Sequence, residues 1–516
     1  MKSASRLVIM ILTVLSGMWL AQGIEAQSPE QQAIGDAAAA LGGRERIAAV
    51  RTLLLEGQGK DFSFGQGARP DEMGSQSDPW KVTGYRRAYD LTAARARFEQ
   101  TRVSLDAFYA GPDPAKSVQG IDGSVVYNVA ESGNAVRVWG RQDVDARQVE
   151  IARHPITLVR AAFDPAAKVA NARTQGSERL VDITLPAGPT VTLAIDAATK
   201  LPARIVWTSD VSLIGDAPIE TRFADYRTVD GFQLPTRLTT RIDRWLSADI
   251  RIRSQTVNGD VGNLAAPPNV AAAKPPGTPS PIRVDAEEVA KGVWYMTGQT
   301  HHSVLVEFED HLALVEAPSE ARTLAVITKA RELRPNKPLT TLIETHHHGD
   351  HTGGVRAAVS EGLTRIVAHR SIQPFLEELL KRPHTIVPDA LARKPQSKRV
   401  TFTAVDDQLV IQDRAMAVHL YHVLDSAHAD TNLLVYFPTG RVLTDADLFF
   451  PDDQRTVNAT DDQGHATFIH SLLLNINYRK LQVDRLMPIH GKLVPYDRFL
   501  EANMLLASML SAQDPR

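Results

Sequence analysis

The sequence predicts an α+β chain in two parts. A β-rich antiparallel N-terminal domain spans residues 27–263, and a C-terminal domain in which strands alternate with helices spans residues 282–516. Three observations carry this. With 516 residues the chain exceeds what one hydrophobic core ordinarily organises, so two domains of more than 200 residues each are the natural division. Residues 264–281 hold the run Ala265–Pro281, whose proline density suits neither a helix interior nor a central strand and reads as a stiff, extended linker. Fifteen of the 16 histidines lie after residue 300, which confines imidazole chemistry to the C-terminal part.

Residues 1–26 read as a secretory signal peptide: Met1-Lys2 and Arg6 are basic, Leu7–Leu20 is almost wholly apolar, and cleavage is expected near Gly23 or Ala26. The apolar core of 14 residues falls short of the ~20 a bilayer-spanning helix needs, so no stable membrane anchor is expected. The chain has no Cys, which excludes a lipid-modified cysteine, disulfides and thiolate metal ligands. Export to the periplasm is the expectation, with outright secretion as the alternative.

Within the N-terminal domain, Glu30–Ala49 has an alanine-rich helical pattern broken by Gly42-Gly43, and Pro155–Phe163 reads as a single helix. Val125–Val129, Leu180–Leu185, Val191–Ile195 and Ala203–Trp207 read as strands of a meander punctuated by Asp122-Gly123, Ala187-Gly188-Pro189 and Asp230-Gly231. The segments Ile195–Pro202, Phe223–Arg227 and Gly231–Pro235 resemble bacterial lipoprotein-carrier-like domains, in which an antiparallel sheet wraps on helices. No catalytic constellation occurs before residue 280, and its lone histidine, His154, reads as a loop residue beside Pro155. This domain is expected to shape access to its neighbour, present an apolar surface or drive dimerisation. The sequence does not choose among these, and it leaves the oligomeric state open.

The C-terminal domain opens with strand runs Val293–Met296, Ser303–Phe308 and Leu312–Val315, and helical stretches follow at Glu320–Leu333 and Ala466–Leu481. The apolar run Leu339–Ile343 delivers His346-His347-His348-Gly349-Asp350-His351, and Thr352-Gly353-Gly354 then starts a helix. Three imidazoles and a carboxylate on a strand-to-helix turn are ligands that zinc accepts, because alternate residues leaving a strand point the same way.

His346-x-His348-x-Asp350-His351 resembles the signature of the metallo-β-lactamase superfamily, which implies a four-layered αβ/βα sandwich and further ligands downstream. The third histidine of the first metal fits His428 in Ser426-Ala427-His428-Ala429-Asp430. The bridging carboxylate fits Asp447 in Ala446-Asp447-Leu448-Phe449-Phe450, with Asp445 as competitor, and the last histidine fits His490 in Pro488-Ile489-His490-Gly491. The resemblance thus implies two Zn2+ per chain, one held by His346, His348 and His428, the other by Asp350, His351 and His490, with Asp447 between them. Glu316 in Val315-Glu316-Ala317-Pro318 departs from the Asp often found there and is expected to alter the support of the ligand loop. His347 should point away from its neighbours. His301-His302 reads as an exposed loop pair more readily than a substrate contact. His311, His369, His384, His419, His422, His465 and His470 lack convergent partners.

Two divalent ions about 3.5–4 Å apart make hydroxide available near neutral pH and polarise the group attacked, so hydrolysis is the implied reaction class, with Asp350 as catalytic carboxylate. Ester, lactone, thioester and amide bonds of a small molecule all suit such a centre. Asp447 favours glyoxalase-II-like and lactonase-like branches, since β-lactamases generally lack a carboxylate there. A metallo-β-lactamase is the runner-up, and a mono-iron, persulfide-dioxygenase-like oxidoreductase is the alternative class. A net charge of -3 provides no footprint for nucleic acid.

Overall fold

The computed structural model describes residues 28–74, 77–105, 113–277, 280–298, 301–426, 428–452 and 468–513. The signal-peptide reading, His465 and Ala466 lie outside the described residues. None of the described helices is long and apolar enough to cross a membrane.

Helix Pro29–Leu41 begins with a reciprocal capping box between Ser28 and Gln31, has Pro29 in its first turn, and stops at Gly42, whose φ is 129°. Its buried face, Ala33, Ile34, Ala37, Ala38 and Leu41, packs into a core shared with Leu193, Ile205 and Leu234 of a 13-stranded sheet. Every strand pair in that sheet is antiparallel, and its first strand, Thr52–Gly67, lies between Ser77–Asp90 and the last, Trp245–Val257. Helices Arg141–Ala152 and Pro155–Ala162 connect the two edge strands, Ala135–Val138 and Lys168–Gln175.

His154 is not the loop residue expected. It is buried as the N-cap of Pro155–Ala162, where Nδ1 accepts from Ile156 N at 3.3 Å and Nε2 lies 3.1 Å from Gln255 Oε1. Burial pushes its pKa down to about 4, so the ring is neutral. The Pro-rich run is not extended throughout either. Pro268–Ala271 form one helical turn, Val270 is buried, and Asn269 Nδ2 donates to Ala135 O at 3.1 Å, which docks the run on the sheet edge. Proline is tolerated there because the first turn needs no N–H.

The C-terminal domain has a seven-stranded sheet and a six-stranded sheet. Strands Val293–Thr297, Ser303–Glu307, Leu312–Val315 and Leu339–Ile343 of the first are buried on both faces, which explains their apolar runs. Trp294, Met296, Leu305, Leu312 and Leu314 face helices Glu320–Leu333, Val355–Ser360 and Gln373–Lys381, while Val293, Tyr295, Val304, Val306 and Ala313 face the second sheet. Helices Phe468–Tyr478 and Tyr496–Gln513 cover the outer side of the six-stranded sheet, giving four layers.

The two domains share a hydrophobic cluster. Met73, Leu213, Ile214 and Ala217 of the N-terminal domain pack with Leu376, Leu379 and Val355 of the C-terminal one. Each large side chain so buried contributes about 1.5–3 kcal/mol. Charged contacts flank the seam: Arg244 meets both oxygens of Glu378 at 3.0 Å, and Asp216 Oδ2 accepts from Thr385 N at 2.8 Å.

Candidate metal centre

Strand Leu339–Ile343 runs out beside Val315, and Glu344 to His348 continue as a fully buried turn before Gly349–Thr352 close one helical turn. Gly354 is required by close approach: a Cβ there would meet Thr323 Oγ1 at 2.1 Å and Ser319 O at 2.8 Å. The glycine pair therefore lets the ligand turn pack against the start of helix Glu320–Leu333. His428 follows strand Ala417–His422, Asp447 follows Val442–Thr444, and His490 follows Arg485–Leu486. The strand ends bring all seven predicted residues into two groups whose ligating atoms lie within 4.8 Å of one another: His346, His348, His428 and Asp447, and Asp350, His351, Asp447 and His490.

Asp447 belongs to both. Its Oδ2 is 3.1 Å from His428 Nε2 and 3.2 Å from His351 Nε2, and its Oδ1 is 2.8 Å from His490 Nε2. It holds φ at 63°, one of two buried carboxylate residues in the left-handed region among the described residues, Glu316 at 73° being the other. Such backbone costs about 1–3 kcal/mol and concentrates at sites that aim a particular side chain. Asp445, the competitor, is turned into the protein, where Oδ1 accepts from Phe449 N at 3.0 Å and burial pushes its pKa up to about 7.

The donor set fits divalent cations. His346 Nε2 and His428 Nε2 face each other at 3.2 Å, and His351 Nε2 and His490 Nε2 at 3.4 Å. Two imidazole nitrogens at such distances cannot both point a proton at each other, so each pair offers at least one lone pair, while against burial the Asp447 carboxylate raises His351 and His490 above the usual histidine range. His348 Nδ1 is buried without a hydrogen-bond partner, an orphaned acceptor that a cation would satisfy. Burial drives the pKa of His346 and His348 well below the usual histidine range, and neutral rings are what coordination requires.

The outer nitrogens of these rings are occupied, which fixes their orientation. His351 Nδ1 lies 2.6 Å from Glu316 Oε2, and His346 Nδ1 lies 3.1 Å from Thr345 Oγ1. Thr345 donates in turn to Glu316 Oε1 through its hydroxyl and, at 3.2 Å, through its N–H. Glu316 thus supports the ligand loop through two of its residues. His347 points away from the centre, with Nδ1 2.8 Å from Thr431 Oγ1 and Nε2 2.9 Å from Gly67 O.

Burial acts to raise the Asp350 carboxyl, but His351 beside it, with hydrogen bonds from His301 and Gln66, holds it well below the ordinary carboxylate range. His301 Nε2 is 3.1 Å from Asp350 Oδ2, and its ring centroid is 4.4 Å from that of His490. The exposed-pair reading is therefore corrected for both histidines. His301 borders the centre, while His302 is buried with Nδ1 2.6 Å from Tyr295 Oη, whose hydroxyl reaches the backbone around His490. His369 and His422 stack at 4.2 Å, away from the two groups. Gln66, Gly67 and Tyr295 carried no chemical signal in the sequence.

A cavity of about 810 Å³ opens on the Asp350 side, between the two domains. Phe64, Gln66, Leu213 and Ile242 wall it from the N-terminal domain, and His301, Asp350, Arg356 and His384 from the C-terminal one.

Residues 296–490 match the family model of the metallo-beta-lactamase superfamily, a span that contains every residue of both ligand groups and ends on His490. Over this span the fold is that of the metallo-β-lactamase superfamily, which supports a metal-dependent hydrolase in general, and the His/Asp clusters are able to hold a metal. Among solved structures, the chain is similar to the DIM-1 metallo-beta-lactamase (15% identity, TM-score 0.33, covering 44% of this chain and 98% of that one). It is also similar to a metallo-beta-lactamase from Pontibacter korlensis (16%, 0.32, 44% and 99%). A third is the FIM-1 enzyme from Pseudomonas aeruginosa in a mono-zinc form (18%, 0.34, 45% and 99%). No curated protein sequence matches the chain.

Proposed function

We propose that this is an exported, zinc-dependent hydrolase that cleaves an ester, lactone, thioester or amide bond of a small molecule. The observation that carries the reading is Asp447, shared by two complete ligand groups, one of which reaches a cavity through Asp350. His346, His348 and His428 would hold one ion and Asp350, His351 and His490 the other. Divalent ions bound there would polarise the scissile group and acidify water.

The protein's own groups supply orientation and proton handling. Hydrogen bonds from Gln66 to Oδ1 and His301 to Oδ2 set the plane of the Asp350 carboxylate, the member of the ligand groups that lines the cavity. Asp350 is placed to orient water on that side by accepting a hydrogen bond from it, and the partly exposed His301 links it to solvent. Phe64, Leu213 and Ile242 give the cavity apolar walls that exclude water from a bound substrate, and its volume suits a small molecule rather than a polymer. The charge balance likewise supports a partner other than nucleic acid. Periplasmic location rests on the signal-like residues 1–26.

The test is metal analysis of protein purified without added metal, followed by a panel of chromogenic esters, lactones, thioesters, amides and nitrocefin. Zinc near two per chain with turnover of one of the first four classes is expected. One iron per chain with oxygen consumption would replace hydrolysis by oxygenation, and turnover of nitrocefin alone would make the protein a β-lactamase.

A further inference from the structure

One strand of the N-terminal domain ends inside the metal centre. Strand Thr52–Gly67 delivers Gln66 and Gly67 to residues 284 and 281 positions later in the chain. Gln66 Nε2 donates to Asp350 Oδ1 at 2.8 Å. The Gly67 carbonyl lies 2.8 Å from His348 Nε2 and 2.9 Å from His347 Nε2. A carbonyl only accepts, so both rings must carry their proton on Nε2. For His348 this bares Nδ1, the buried nitrogen without a partner in the first ligand group. For His347 it leaves Nδ1 to accept from the Thr431 hydroxyl. The contact is built, not incidental: a Cβ on Gly67 would sit 2.0 Å from Glu72 O, so a larger residue would displace this carbonyl. The next residue continues the contact, with Ala68 O accepting from Asp430 N at 2.9 Å, two residues from His428.

We propose that Gln66 and the Gly67 carbonyl are positioning groups of the metal centre, so that the N-terminal domain sets the affinity with which the C-terminal domain holds its ions. This rests on the metal-binding reading above. Gly67 selects the tautomer in which His348 presents Nδ1, and Gln66 anchors one oxygen of Asp350 while the other faces His351 Nε2 at 3.7 Å. Without these contacts the His348 ring gains a second tautomer, its buried Nε2–H loses its acceptor, and Asp350 keeps only its Oδ2 contact with His301. Loss of such outer hydrogen bonds typically lowers metal affinity about 10–100-fold.

The experiment uses the full-length exported protein, stripped of metal and titrated with zinc against a chromogenic chelator, with thermal unfolding recorded alongside. Gln66→Met keeps the length of the side chain and removes the donor. It is expected to weaken one of two zinc equivalents about tenfold or more and to leave the other unchanged. Gly67→Ala is expected to weaken the equivalent that depends on His348. Tyr226→Phe, which removes the hydroxyl bond to Pro202 O within the same domain, is the control: it should lower stability and leave both affinities alone. Should Gly67→Ala fail to fold, Gln66→Met decides the matter by itself. Wild-type affinities in Gln66→Met, or an equal loss in Tyr226→Phe, overturn the positioning role while the metal reading stands. Wild-type protein that takes up no divalent ion overturns both.

Discussion

Replacing Glu316 by Gln would keep the size of a fully buried side chain and remove its charge. In the native protein Oε1 accepts from the Thr345 N–H and hydroxyl, while Oε2 lies 2.6 Å from His351 Nδ1. Because the carboxylate only accepts, His351 directs an Nδ1 proton at Glu316, which leaves Nε2 as the atom for an ion in the second ligand group. A Gln can keep the Thr345 contacts with its amide oxygen, but then its NH2 meets His351 Nδ1. To satisfy that donor the ring must move its proton to Nε2, the atom 3.2 Å from Asp447 Oδ2 that coordination needs bare. The loss is one charge-assisted hydrogen bond plus a wrong tautomer. A hydrogen bond to a charged group contributes about 1.5–3 kcal/mol, and the tenfold to hundredfold fall in affinity usual for such partners is about 1.4–2.7 kcal/mol. The two routes agree, so the second zinc equivalent should bind about 10–100-fold more weakly in Glu316→Gln by chelator competition. Glu316→Asp keeps the charge and shortens the reach, and should fall between Gln and wild type. Affinities in Glu316→Gln equal to wild type would refute the reasoning.

Asp350→Asn removes the charge that faces the cavity; turnover on the best substrate should drop about a hundredfold, a loss of roughly 3 kcal/mol, while the ion held by His346, His348 and His428 is retained on metal analysis. His347→Ala should leave metal content nearly unchanged and lower thermal stability, whereas His348→Ala should strip an ion; the reverse pattern would mean that the ligand register is shifted by one residue. His154 should make the N-terminal domain acid-sensitive. Its pKa falls from 6.5 to about 4 on folding, so the unfolded chain binds more protons between those values, and stability is complete above 6.5 and lost as pH falls toward 4. The difference is worth up to about 3 kcal/mol, and His154→Asn, which keeps a capping acceptor, should unfold with less pH dependence over that window in urea melts. A chain beginning at Ile282 uncovers the cluster that Met73, Leu213, Ile214 and Ala217 cover, and should be less soluble and melt lower than the whole protein; equal behaviour would show that the shared core contributes little.

The primary sequence by itself determined the elements whose signal is local. Strands such as Ser303–Glu307 and Leu433–Phe437 are buried on both faces and so read as nearly unbroken apolar runs, and the His346–His351 cluster stands out because it follows such a run, Leu339–Ile343. The choice of Asp447 over Asp445 came from the resemblance to the superfamily, and the backbone agrees, since φ at 63° aims Asp447 into the cluster while Asp445 binds Phe449 N. What only the tertiary structure decided was every contact made across long separations. Hydropathy periodicity reports which face of an element is buried, and not what it is buried against. Gln66 and Gly67 belong to a strand of mixed polarity and reach the centre only because the 13-stranded sheet seats its hairpin end on the ligand turn. His154 looked like a loop residue because capping depends on where Ile156 N and Gln255 fall in space. Glu316 was visible as a departure, but its support of His351 came from a left-handed backbone that no side-chain pattern encodes. Four candidate ligands were legible because they cluster at His346–His351, and His428, Asp447 and His490 through the resemblance; the groups that orient them were not, because long-range hydrogen bonds leave no periodic trace in sequence.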